Sequence, residues 1–406
     1  MKPLCEGRQS AFPSVFSAIQ SCRITRSSLK SPNVVGLFRF LLAIAVVMTH
    51  SDAILGIKLI GGLNAVQTFY IISGFYMTMI LNEKYVGAGM YKLFISNRLL
   101  RLYPIYWVVL GIGLLTSLIA FKEHHGFYAG LLNPYYKWFI HGSMSWWAFI
   151  YLVIVNVTLV GQDWTMFMGL HQSLGTLYLT NNYHLNQPMI TDFILIPQAW
   201  TLGVEISFYL IAPFLVRMPM KKVLPILGAT MLLRAIFHLN GITYDPWSYR
   251  FFPLELMYFL LGYVSYQIYV RVRSQKPNPR VLWAVFVGLM IATYVYQFVP
   301  KTYYYTIKYI YNLITVLSIP YMFHLTKSWK WDRWIGELSY PVYICHMLFV
   351  SAWSVKLFPT IINEGVTVTT YSVLMAIALN YLVANPVERI RQRRVAQLAA
   401  MQRTES

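Results

Sequence analysis

Apolar residues in this chain come in long unbroken blocks rather than in alternating or one-sided stripes. Eleven such blocks run near 34–52, 62–82, 102–121, 145–160, 193–216, 222–239, 251–270, 281–299, 304–325, 337–357 and 367–385. A helix needs about 20 apolar residues to cross a hydrocarbon layer, and most of the blocks approach that length. They predict an all-α, polytopic integral membrane protein. Ahead of them, 1–32 is polar, with Lys2, Arg8, Arg23, Arg26 and Lys30 among scattered Ser and Pro. This segment predicts a flexible basic cytoplasmic arm and no signal peptide. Residues 33–388 read as one membrane domain and 389–406 as a basic cytoplasmic tail.

Composition agrees. Only 12% of the 406 residues are charged and 57% are hydrophobic, against about 25% charged in soluble domains. An aromatic content of 17% excludes disorder. The formal charge of +19 would suggest nucleic acid in a soluble protein. Here it sits in loops, where it sets orientation. Arg389, Arg391, Arg393, Arg394 and Arg403 put the C-terminus inside, and the basic loops 327–333, 271–280 and 217–222 fall on the same side. Counting forward from a cytoplasmic arm, 83–101 is inside and 122–144 outside. Ten crossings satisfy every loop, with both termini cytoplasmic, and eleven do not. The short block 145–160, with Trp146 and Trp147 at its start, is therefore expected to lie in the interface or re-enter; 193–216, broken by Pro197, is the other suspect. Cys5, Cys22 and Cys345 form neither a disulfide framework nor a zinc spacing, so no metal is expected.

Ionisable groups inside apolar spans are costly and mark function. Arg39 and His50 lie in the first block, eleven residues apart. That spacing is about three helical turns, so both share one face, about 16 Å apart. Either they are a snorkelling Arg and a span-end His, or they line a site. Ser73-Gly74 in the second block offers a hydroxyl and a close helix approach. Arg98 and Arg101 are spaced i,i+3, at an expected helix start. They read either as a positive-inside anchor or as a bidentate phosphate clamp. Glu205 is a carboxylate inside an apolar run, which must be neutral, paired or wet. His346 reads as a ligand-facing group or as a His bonded to a neighbouring backbone.

Taken in order, these elements resemble the acyltransferase 3 family of integral-membrane acyltransferases. The matching features are Arg39-x10-His50, Phe-x-x-Ser73-Gly74-Phe75, Arg98-x-x-Arg101 with Tyr103-Pro104, Trp200-Thr-Leu-x-x-Glu205, Ser339-Tyr-x-x-Tyr343-x-x-His346 and Pro386-Val-Glu388. They span about residues 33 to 390. Thr201 stands where the family often has Ser, which keeps the hydroxyl.

The resemblance implies O-acylation, most often O-acetylation, of an extracytoplasmic or lipid-linked carbohydrate. The donor would be cytoplasmic acyl-CoA, acetyl-CoA for acetylation, with no tightly bound cofactor. The expected setting is the bacterial inner membrane; the expected partners are acyl-CoA, the glycan acceptor and membrane lipid, and no nucleic acid. A His is suited to act as general base on a sugar hydroxyl, the role expected of His50. Glu205 would orient His50 and stabilise its imidazolium. Arg98 and Arg101 would face the CoA phosphates, and Arg39 would hold the pyrophosphate or polarise the thioester carbonyl. Ser73, Trp200, Thr201 and His346 are expected in support. On physics alone, a proton-coupled transporter of a small anionic or sugar substrate is the alternative; the ordered motif set speaks against it.

Overall fold

A computed structural model describes residues 35–404 apart from 88, 125–130, 276 and 355. The arm over 1–32, with Cys5 and Cys22, lies outside the described residues, as does Lys276. The chain begins with α1 (Gly36–His50), α2 (Gly62–Glu83), α3 (Met90–His124) and α4 (Asn133–Tyr135), a single turn that passes into a π-helical stretch over Tyr136–Ile140. Then come α5 (Trp146–Thr158), a small antiparallel hairpin of β1 (Met168–Leu170) and β2 (Leu177–Leu179), and α6 (Trp200–Leu215). The remainder is α7 (Met220–Leu239), α8 (Phe252–Val272), α9 (Pro279–Val295), α10 (Tyr304–Thr326), α11 (Lys330–Ser354), α12 (Glu364–Leu379) and α13 (Asn385–Thr404). Among the described residues, four helical stretches are long and apolar enough to cross a membrane by themselves: Met90–Ile119, Met220–Leu239, Pro279–Phe298 and Glu364–Gln397. The protein is an all-α integral membrane protein.

Close glycine contacts bring the inner helices together. A Cβ on Gly74 of α2 would sit 2.0 Å from the Phe259 carbonyl oxygen, and one on Gly262 of α8 would sit 2.1 Å from that of Ile71. The two backbones therefore touch at a crossing that only glycine permits. Gly36 and Gly336 do the same for α1 and α11, where a Cβ on Gly36 would lie 1.7 Å from the Asp332 carbonyl. The buried Asp332 carboxylate then caps α1, accepting from the Gly36 and Leu37 amides at 2.8 Å each. A carboxylate at a helix N-terminus satisfies orphan amides and complements the dipole. At the other end of the same pair, His50 meets His346. Contacts at 36 with 332 and at 50 with 346 mean that α1 and α11 run in the same direction.

One expectation from the blocks changes, and the two suspect blocks take a definite form. Arg98 and Arg101 are not at a helix start, because α3 begins at Met90. The first seven residues of the block 193–216 are not α-helical: 3-10 turns at Ile190–Phe193 and Pro197–Ala199 precede α6. Pro197 opens the second of these turns, where a missing amide costs nothing, and α6 follows directly at Trp200. The block 145–160 yields α5, whose 13 residues reach about 20 Å, short of a hydrocarbon core of about 30 Å. Its last carbonyls, of Asn156, Val157 and Thr158, accept from Tyr106, Trp107 and Tyr103 in the middle of α3. The chain then turns at Leu159, in a left-handed conformation (φ 61°).

Candidate active site

A cavity of about 970 Å³ opens between α1, α2, α3, α6 and α11. Its lining includes Arg39, Ser73, Arg98, Arg101, Thr201 and Glu205. Six of the nine residues singled out from sequence thus face one space. The others are His50 and His346, just beyond Tyr343, and Trp200, behind Thr201.

The two ends of this space differ. At one end, Arg39 faces Arg101, Tyr76, Glu205 and Tyr209. Glu205 Oε1 accepts a 2.8 Å hydrogen bond from the Ser73 hydroxyl. Arg98 is 4% exposed and its Nε has no partner among the described residues. Arg101 and Tyr340 also line an adjoining space of about 550 Å³, together with Glu388 and Arg391. Arg391 donates to Glu388, and Arg394 reaches Asn97 at 3.0 Å and Ser96 at 2.9 Å, so α13 is tied to the Arg98 turn of α3. In the sequence, Arg391 and Arg394 mark only the orientation of the tail. A Glu three residues before an Arg, the first turn of a helix, was the available signal.

At the other end, His50 Nδ1 lies 3.0 Å from His346 Nε2, and His346 Nδ1 lies 2.7 Å from the Tyr343 carbonyl oxygen. The network assigns the tautomers. A carbonyl only accepts, so His346 Nδ1 carries its proton. Nε2 of neutral His346 is then an acceptor, and His50 Nδ1 must donate to it. Neutral His50 is left with Nε2 bare, as a base. His50 is exposed at the end of α1, whereas His346 is fully buried. Thr49 holds this end in place: its hydroxyl donates to the Ala45 carbonyl and accepts from the Gly62 amide, each at 2.9 Å.

The expected hydrogen bond between His50 and Glu205 is not formed; His346 takes that place. The start of α6 explains this. Gln198 donates to the Ile344 carbonyl at 2.8 Å, and the Thr201 hydroxyl is 2.9 Å from the Tyr343 hydroxyl. One turn further on, Glu205 has left the histidines and reached Ser73 and Arg39. Tyr343 lines the cavity and packs its ring 6.0 Å from that of His346. Trp200 is 4% exposed and lies beneath the Arg250 guanidinium, 4.5 Å from its ring centroid. Asp245 grips Arg250 through Nε at 2.8 Å and Nη2 at 2.9 Å. Burial opposes the charge on Arg250, but Asp245 more than offsets this and pushes its pKa up. The Asp245–Arg250 clamp, within electrostatic reach of His50, lies in a loop that carried no intramembrane signal.

Comparison with known proteins gives the family. A family model described as an acyltransferase domain matches residues 35–384, most of the chain. A protein of Aquifex aeolicus, named only as uncharacterized, is 23% identical over 220 residues, which are 53% of this chain and 98% of that one. No solved structure matches. The matched span contains Arg39, His50, Ser73, Arg98, Arg101, Glu205 and His346, and it makes the chain a member of the acyltransferase 3 family and an acyltransferase.

Proposed function

We propose that the protein moves an acyl group, most simply acetyl, from cytoplasmic acyl-CoA to a hydroxyl of an extracytoplasmic or lipid-linked carbohydrate. The observation that carries this reading is the His50–His346 pair, placed beyond one end of a cavity whose other end is lined by Arg39, Arg98 and Arg101. The CoA phosphates bind the arginines, and the pantetheine arm lies along the cavity. Its thioester approaches His50 past Tyr343. His50 Nε2 takes the proton of the acceptor hydroxyl as the oxygen attacks the thioester carbonyl. The tetrahedral adduct then expels the CoA sulfur, which receives that proton from His50. His346 accepts from His50 Nδ1 throughout, so the imidazolium forms without a change of partner. Atoms balance: an ester and a free thiol replace an alcohol and a thioester.

The setting proposed is a bacterial inner membrane, crossed ten times with both termini inside. Parity supports the count. Parallel α1 and α11 require an odd number of crossings between them. The helices α2, α3 and α6 to α10 supply seven, and α5 as an eighth would break the parity. A short α5 that ends against the middle of α3 fits a re-entrant element.

Two measurements test the reading. Mass spectrometry of surface glycans should show an acyl mass lost when the gene is deleted and restored by the wild type but not by His50→Ala. Purified protein in detergent should slowly hydrolyse acetyl-CoA without acceptor. Unchanged glycans together with no acyl-CoA turnover would overturn it.

A further inference from the structure

A second cavity, of about 470 Å³, lies among α2, α7, α8 and α10, outside the machinery described above. Leu63 lines it, next to the Gly62 amide that bonds Thr49, so it opens at the His50 end of the fold. Its floor carries two cations. Arg234 is 8% exposed and donates to the buried Glu255 at 2.7 Å, to the Ser248 carbonyl at 3.1 Å and to that of Leu254 at 3.0 Å. Gln67 also donates to Glu255, at 3.0 Å. Lys308 is 4% exposed and lines the cavity. Among the described residues its ammonium has neither a hydrogen bond nor an ion pair; the Tyr258 ring lies 6.0 Å away, and Glu255 and Arg234 act on it through space. Two cations against one carboxylate leave one positive charge in excess, in a place where an unpaired charge is costly. The Arg234 Nε is also without a partner.

The rim is aromatic and exposed. Tyr305 and Tyr309 are each 41% exposed, and His238 packs edge-on against Tyr305 at 4.6 Å. Tyrosines cluster where a membrane protein meets the head-group layer. A buried, unpaired cation below a tyrosine rim at that depth matches a phosphate carried at the membrane surface.

We propose that this cavity binds a phosphate-bearing head group, held chiefly by the Lys308 ammonium with Arg234 behind it. Ser248 and Thr243, also in the lining, are placed to complete the oxygen contacts. The proposal concerns binding alone and does not depend on acyl transfer.

The test is the melting temperature of the purified full-length protein in detergent, with three additions. These are dioleoyl-phosphatidylglycerol, diacylglycerol with the same chains, and inorganic phosphate. Phosphatidylglycerol or inorganic phosphate should raise the midpoint by a few degrees, and diacylglycerol should not. A rise with the lipid alone assigns the site to a lipid head group, and a rise with inorganic phosphate assigns it to phosphate as such. The rise should vanish in Lys308→Met, which removes the unpaired charge. It should also fall in His238→Glu, which places an anion at the exposed rim and leaves the Arg234–Glu255 pair intact. If Lys308→Met does not fold, His238→Glu carries the test. No rise with either phosphate probe, an equal rise with diacylglycerol, or a full rise in the folded variants would overturn the proposal.

Discussion

The arginine end and the histidine end of the main cavity are built on opposite principles. The arginine end has charge in excess: Arg39, Arg98 and Arg101 line it against Glu205. The histidine end is a chain of hydrogen bonds in which each atom has one assigned role, from the Tyr343 carbonyl through His346 to His50. Excess charge suits the capture of a flexible polyanion, which tolerates inexact placement. A fixed tautomer suits proton transfer, which does not. Loss of an arginine should therefore weaken binding, and loss of a histidine should stop chemistry.

The largest effect should come from His50→Ala. A positioned base is typically worth about 10²–10⁴-fold, so transfer measured with radiolabelled acetyl-CoA should fall by at least about 10²-fold. Retention of acetyl-CoA by the variant, measured by equilibrium binding, should be nearly normal. Loss of binding as well would merge the two ends into one. His346→Ala should be next, because it leaves His50 free to adopt the other tautomer. The double variant should be little worse than His50→Ala alone, since the two act as a unit. His346→Gln offers an oxygen acceptor and should recover part of the rate, a rescue that a purely structural role would not predict.

Glu205→Gln separates the ends most sharply. Glu205 is bonded to Ser73 and faces Arg39, so its loss should multiply with that of His50 rather than be absorbed by it. A measurably additive loss, in a background such as His346→Gln that keeps a detectable rate, is the expected outcome. Full absorption would mean that Glu205 moves to the histidines during turnover. Arg98→Ala and Arg101→Ala should each raise the KM for acyl-CoA with kcat little changed. A hydrogen bond to a charged group is worth about 1.5–3 kcal/mol, which is about ten- to hundredfold in affinity. Lys should rescue only in part, because it lacks the planar fork. A collapsed kcat at constant KM would move these residues to the reacting centre.

How much of this was legible in the sequence follows from which contacts are local. The membrane class, the shared face of Arg39 and His50, and the close approach at Gly74 are properties of one helix at a time. The partner of His50 is not. Glu205 and His346 are both intramembrane polar groups, and only the register of α6 on α11 decides which one reaches His50. That register is set by Gln198 and Thr201 bonding to the Tyr343–Ile344 turn, a match across more than 140 residues of chain. Likewise, the Asp332 cap on α1 was hidden in a loop counted only for its basic charge.

Thr201 gives the smallest and most discriminating prediction, because the comparison demands two opposite results at one position. Its hydroxyl sits 2.9 Å from that of Tyr343, whose own hydroxyl also donates to the Gln198 carbonyl at 3.0 Å. The Thr201 hydroxyl lies 3.1 Å from the same Gln198 carbonyl, so the two hydroxyls share that acceptor and one of them donates to the other. Thr201→Ser keeps the donor and loses one methyl, so activity should stay within about twofold, as expected of a surviving hydrogen bond. Thr201→Val keeps the shape and removes the donor. It leaves the buried Tyr343 hydroxyl without its Thr201 partner, a cost of about 1–3 kcal/mol. The strain falls on the turn of α11 whose carbonyl holds His346. The loss in Thr201→Val should therefore appear in kcat, with the KM for acyl-CoA unchanged, even though Thr201 lines the same cavity as the arginines. A shift in KM instead would mean that Tyr343 belongs to the binding end, and that the boundary between capture and chemistry lies closer to His50 than the hydrogen bonds place it.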